Sequence, residues 1–168
     1  MKKYFYIKVN LEKWERGDKK YCDWDFLDNE EEEDFFTYHK NTNCWIEADV
    51  GDILICHSSY MNMGSSKEPK FVPRPRITAI SVIAKRKHVS KDSGEEVVTI
   101  RKKVSLPRPI LKREIEDNQI IKESKPYKLG TSRCTINEIK DMEYKEFIKE
   151  ILRKNPNLKH EIEKLEKE

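Results

Sequence analysis

The sequence predicts an α+β fold: a small, curled, barrel-like mixed β-sheet flanked by helices. Three observations predict it. Segments with strand-like alternation follow one another through the first two thirds of the chain, in hairpin order. Segments with helical spacing are concentrated in the last third. The 168 residues suffice for one domain with a substantial core. Runs of strands followed by helices, without strict alternation, favour α+β over a doubly wound sheet. Hairpin-ordered strands of this kind tend to curl and so protect their edges.

The elements follow in order. Residues 3–9, KYFYIKV, place Phe5, Ile7 and Val9 on one strand face and Tyr4, Tyr6 and Lys8 on the other. LEKWERGDKK is expected to be a turn or short helix carrying Trp14. From Tyr21 to Tyr38 six aromatic residues flank an acidic run, read as a surface loop or short helix with solvated acids and anchored ends. IEADVGDILICHSS, residues 46–59, is a polar lead-in, a tight Gly51-Asp52 turn and an apolar strand. Ile53, Ile55 and His57 share one face of that strand; Leu54, Cys56 and Ser58 share the other. Tyr60 to Pro75 has the composition of a long loop.

Residues 77–89 predict a long strand, Ser93-Gly94 a hairpin turn, and residues 96–104 the returning partner. Pro107 and Pro109 are expected to stop the sheet. ILKREIED then reads as a short helix, SKPYKLG as extended, and residues 133–136 as another strand. Asp141 is expected to N-cap a helix whose apolar face carries Tyr144, Phe147, Ile148, Ile151 and Leu152. Asn155-Pro156 breaks it. The expected organisation is a domain over 1–154 and a charged helical tail or linker over 155–168.

Charge is unevenly placed. Charged residues make up 39% of the chain, yet the net charge is only +3, so whole-chain balance says little about partners. Asp23 to Asp34 holds eight acids and no bases, whereas Lys67 to Arg113 holds fourteen Lys/Arg against four Asp/Glu. The basic stretch places Lys67, Lys70, Arg74 and Arg76 on or beside the loop. Lys85, Arg86 and Lys87 lie on one hairpin strand, and Arg101, Lys102 and Lys103 on the other. They read either as a phosphate-binding surface or as a solvated charged face. The acidic run repels phosphate and is expected away from such a surface. No stretch approaches a membrane span, and Met1-Lys2-Lys3 leads directly into a strand, so a cytoplasmic location is expected. Cys22, Cys44, Cys56 and Cys134 are scattered without metal-ligand spacing; neither metal nor cofactor is expected.

YFYIKV, GDILICHSS, RITAISVIAKRKHV, VVTIRKKVSLPRPI and SRCTINEIKDMEYKEFI together resemble EVE domains of the PUA-like superfamily, over about residues 3–152. The resemblance implies a PUA-like fold of the EVE/YTH type. In that family the strand after the GD turn ends in a short polar or aromatic phrase, a position matched here by His57 and Ser58. YTH domains read methylated adenine in RNA. EVE domains also serve as DNA-reading heads of McrB-type modification-dependent restriction systems, where a flipped modified base enters an aromatic pocket. The resemblance therefore implies binding of duplex DNA carrying a modified base. It also implies fusion to, or excision from, a larger motor protein of such a system. The alternative is a PUA-like reader of modified RNA. Two departures are the acid-rich insertion between the first two strands and the length of the loop after Tyr60.

A base pocket needs flat apolar walls and a few polar atoms at the base edge. Stacking on one aromatic side chain contributes about 1–3 kcal/mol, comparable with the cost of extruding a base. Trp45, just before the GD turn, matches a family region in which a tryptophan lines the pocket; it reads equally as a core residue covering the barrel end. Trp14 follows the first strand toward the same mouth, and Tyr60 leaves the central strand as a wall or lid. His57 reads as a base-edge contact, with Ser58 adjacent, or as a buried histidine bonded to a carbonyl. Arg133 matches a family position near the pocket. Catalysis is not expected: Cys56 and His57 point to opposite faces, and no acid is placed to orient the histidine.

Overall fold

The structure, a computed structural model, describes residues 2–9, 14–16, 19–21, 32–36, 48–62, 71–92, 94–128 and 136–168. The strands are β1 (Tyr4–Val9), β2 (Trp14–Arg16), β3 (Lys19–Tyr21), β4 (Glu32–Phe36), β5 (Ile53–Asn62), β6 (Phe71–Val89), β7 (Glu96–Leu111) and β8 (Ile136–Ile139). Helices α1 (Lys112–Ile115), α2 (Gln119–Glu123) and α3 (Lys125–Lys128) precede β8. After it come α4 (Asp141–Lys154), a 3-10 turn (Pro156–Leu158) and α5 (Lys159–Lys167). One six-stranded sheet runs β4-β7-β6-β5-β1-β8, and β2 and β3 form a separate ribbon. β1 is parallel to β5, and every other neighbouring pair in the main sheet is antiparallel.

Strand alternation divides the core between two faces. On the helix side, Tyr6, Ile53, Ile55, Ile80, Val82 and Val104 pack against Phe147, Ile148 and Ile151 of α4 and Ile121 of α2. On the inner side, Phe5, Ile7, Leu54, Cys56, Ala79, Ile83, Val98, Ile100 and Ile136 form a second buried cluster drawn from five strands. No described helix contributes to that inner cluster. A six-stranded sheet with helices packed on one face is the α+β architecture expected.

The Gly-Asp turn is the hinge pin of the sheet. Gly51 has φ +88°, a conformation that L side chains resist. The buried Asp52 carboxylate accepts the backbone N–H groups of Lys3 and Asp49, each at 2.8 Å, and so ties the start of β1 to the start of β5. Asp52→Ala removes both acceptors and is expected to cost about 2 kcal/mol. The check is a shift of the urea midpoint without a change in slope.

Several expectations are corrected. LEKWERGDKK carries the β2/β3 ribbon, not a helix. Within Tyr60 to Pro75, residues 60–62 and 71–75 are strand, because β5 and β6 stay paired out to Asn62 and Phe71; residues 63–70 lie outside the described residues. Pro73 and Pro75 lie in the part of β6 that pairs with β5 alone, since β6 pairs with β7 only from Arg76 onward, so one side of this stretch faces no β7 ladder. Pro107 and Pro109 do not end β7 for a related reason. They fall in a break of register between the pairs Ala79–Ser105 and Ile77–Ile110, where no β6 partner needs their missing N–H groups. The acidic segment supplies β4, paired to β7 from Glu32–Arg101 to Phe36–Val97. Lys125–Lys128 is helical, with Pro126 in the first turn, where its missing donor costs nothing. Asp141 is the first helical residue; Lys140 is the N-cap, and its N–H is taken by the Glu143 carboxylate at 2.7 Å. The stretch read as a charged tail lays Leu158, Ile162 and Leu165 into the helix-side core.

Candidate nucleic-acid interface

Four buried polar side chains, His57, Ser58, Arg76 and Asn137, lie near where β1 ends and β8 begins. His57 is paired in register with Lys8 and with Ile77, and β8 starts at Ile136 opposite Ile7. On the helix side the His57 ring lies 5.8 Å from the Tyr6 ring, which is 5.1 Å from Phe147. Asn137, in register with Tyr6, is buried on the same face. Tyr127 packs against the helix-side core; its hydroxyl donates to the Lys112 carbonyl at 3.3 Å, and the Lys112 ammonium stands 5.7 Å from its ring centre. Burial, and secondarily the neighbouring Tyr127 phenol, pushes the Tyr6 phenol well above its usual range. Burial, then the Glu116 charge, raises Tyr127 too. Both phenols therefore stay protonated at neutral pH. The cluster combines flat rings with hydroxyl, amide and imidazole edges, the chemistry that holds a nucleobase.

Ser58 faces the other way. It is paired with Arg76 on the inner face, and both side chains are buried. His57 and Ser58 are thus not brought together, although they are neighbours in sequence. Arg76 is correspondingly corrected: it is a wall residue of the inner face, only 8% exposed, and not part of an outer phosphate surface. Cys56 shares that inner face and donates to Ser81 Oγ at 3.3 Å, away from His57. Arg74 and Tyr60 lie on the paired extensions of β6 and β5, and Trp14 opens β2. Trp45, Lys67, Lys70 and Arg133 lie outside the described residues.

The hairpin cations carry partners. Glu32 of β4 is bridged by Lys85 at 3.0 Å and by Arg101. The Asp49 carboxylate holds Arg86 through two contacts, 2.5 and 2.8 Å. Lys87 meets Glu96 at 2.6 Å, and Lys103 meets Glu168 at 3.2 Å. The hydrogen bond from Lys85, then that from Arg101, holds the Glu32 carboxyl below its usual range. Lys102 sits between Arg101 and Lys103 on β7. The acidic run, expected far from any phosphate surface, places one of its carboxylates directly on the proposed cations.

Sequence reasoning missed Tyr6, Asn137 and Tyr127. The alternation of YFYIKV put Tyr6 on one face, but only the β1 registers with β5 and β8 reveal its neighbours. Among the described residues no three His, Cys, Asp or Glu side chains converge as a metal set. None of the described helices is long and apolar enough to cross a membrane.

No protein-family model matches the sequence, and no curated protein matches it. Solved structures do match. A hypothetical protein from Leishmania major aligns with TM-score 0.65 at 9% identity, over 92% of this chain and 98% of that one. Human THYN1, solved in complex with DNA containing 5-methylcytosine, aligns with TM-score 0.58 at 13% identity, over 89% and 97%. A protein from Agrobacterium tumefaciens aligns with TM-score 0.57 at 18% identity, over 86% and 89%. These likenesses cover nearly the whole of each chain and show a shared fold.

Proposed function

We propose that this chain binds nucleic acid and reads a modified base, most directly a methylated one in duplex DNA, flipped into the His57 end of the sheet. The observation that carries the reading is the His57–Tyr6 ring pair beside the buried Asn137, on a fold shared with a protein solved on methylcytosine-containing DNA. Imidazole, phenol and amide offer edge contacts, and the rings offer a stacking surface. Trp45, Trp14 and Tyr60 are assigned as further walls. Lys67, Lys70, Arg74, Lys102 and Arg133 are assigned to the backbone, with the hairpin cations. Arg76 and Ser58 lie on the inner face, away from the base. The resemblance to EVE domains supports the finer reading, a cytoplasmic specificity domain of a modification-dependent restriction system, acting as a binder and not as an enzyme.

Titration of the chain with duplexes carrying methylcytosine, methyladenine, hydroxymethylcytosine or no modification tests this. The expected result is at least tenfold tighter binding of one modified duplex at every salt concentration. Equal affinities across the panel overturn the base-reading assignment. Single-stranded RNA outcompeting every duplex overturns the DNA partner.

A further inference from the structure

We propose that the β6–β7 hairpin is a latent polyanion-binding face, masked by the chain's own carboxylates so that non-specific affinity for nucleic acid stays low. The inference rests on the nucleic-acid reading above and adds its regulation. Lys85, Arg86, Lys87, Arg101 and Lys103 are five cations on two paired strands, the density that binds a phosphate backbone. Four carboxylates from four separate parts of the chain, Glu32, Asp49, Glu96 and Glu168, each meet at least one of them. The five cations and four carboxylates sum to +1 instead of +5, with Arg86 on the strand face opposite Lys85 and Lys87.

The arrangement is not incidental to local sequence. The Arg101–Glu32, Arg86–Asp49 and Lys103–Glu168 contacts span 69, 37 and 65 residues. Glu32 is delivered by β4, a strand whose described contacts are with this hairpin, and a single carboxylate neutralises two cations there. Between the Arg101 and Lys103 rims lies a depression of about 240 Å³ floored by Val82, Ile83 and Ala84. It sits at the Gly51 end of the sheet, so it is separate from the His57 end.

Exposed ion pairs are weak and exchange partners readily. A phosphate row can displace the carboxylates once a base has been engaged elsewhere. An unmasked row would hold any duplex, because backbone attraction is blind to sequence and modification. Masking lets the base pocket decide.

The test compares Glu32→Gln/Asp49→Asn with Glu116→Gln/Asp117→Asn, which makes the same change of net charge on the α1–α2 turn. Each is titrated with modified and unmodified duplex across a salt series and eluted from heparin. The masked-face variant should bind both duplexes about tenfold tighter by the same factor. Its log K against log salt should be steeper by about 2.7, since three cations are released. It should also elute later from heparin than the control. Adding Arg101→Gln should reverse part of the gain. Equal behaviour of the two variants overturns the mask, even if wild type discriminates the modified duplex. If wild type shows no preference among duplexes and the variants still differ on heparin, the base-reading assignment falls and the mask stands.

Discussion

Deleting residues 156–168 should lower the thermal midpoint of the domain by roughly 10–20 °C or abolish its cooperative melt. The segment reads as charged, and its net contribution looks like solubility. Yet Leu158, Ile162 and Leu165 are at most 4% exposed and join the cluster that contains Tyr6 and Phe147. Each fully buried aliphatic side chain contributes about 1.5–3 kcal/mol. Entropy regained by the freed segment offsets part of the sum, leaving a loss of roughly 5 kcal/mol against a total stability of about 5–15 kcal/mol. The segment is also tied by charge: the Lys2 ammonium donates to the Leu165 and Glu166 carbonyls at 3.3 and 3.1 Å, a cation at the negative end of α5. Leu165→Ala alone should cost about 2–5 kcal/mol. Differential scanning calorimetry of the full and shortened chains decides it; superimposable melts would mean that α5 is not part of the folding unit.

What the sequence made legible was local. The GD turn, the alternating strands β1 and β5, the hairpin and α4 each carry their signal within a dozen residues, through period 2, period 3.6 or a glycine of positive φ. What it hid depends on pairing at a distance. Pro107 and Pro109 look like terminators until the register shows that no β6 partner needs their N–H groups. The acidic segment looks like loop because its strand character lies in the β7 edge it meets, more than sixty residues away. The three apolar residues of α5 are diluted among lysines and glutamates, so composition outweighed spacing. The site divides the same way. His57 and Ser58 were found from their place at a strand end, and their opposite directions followed from alternation. The company each keeps did not: Tyr6 and Asn137 for one, Arg76 for the other. The basic count was real, but a count of cations says nothing about the carboxylates folded onto them.

A base held in the middle of the strand end cannot be touched by the side chains of both His57 and Ser58. The helix-side face offers rings and edges, whereas the described inner face at that level offers Ser58, Arg76 and small aliphatic neighbours. The base is therefore assigned to the His57 side. His57→Ala removes a ring beside Tyr6 and an edge contact together, and should weaken binding of the preferred modified duplex by about 1–3 kcal/mol, roughly 5- to 150-fold. Unmodified duplex should lose little, because its affinity comes from phosphates. Ser58→Ala should leave the ratio of modified to unmodified affinity within about twofold, though it can lower stability by about 1 kcal/mol through a lost buried hydroxyl contact. His57→Phe separates the two roles of the ring: stacking survives and edge bonding does not. Retained affinity with lost choice among modifications would mean that the imidazole reads the base edge. If Ser58→Ala collapses discrimination while His57→Ala spares it, the base enters from the barrel mouth, and Arg76, buried opposite Ser58, becomes the residue nearest its edge.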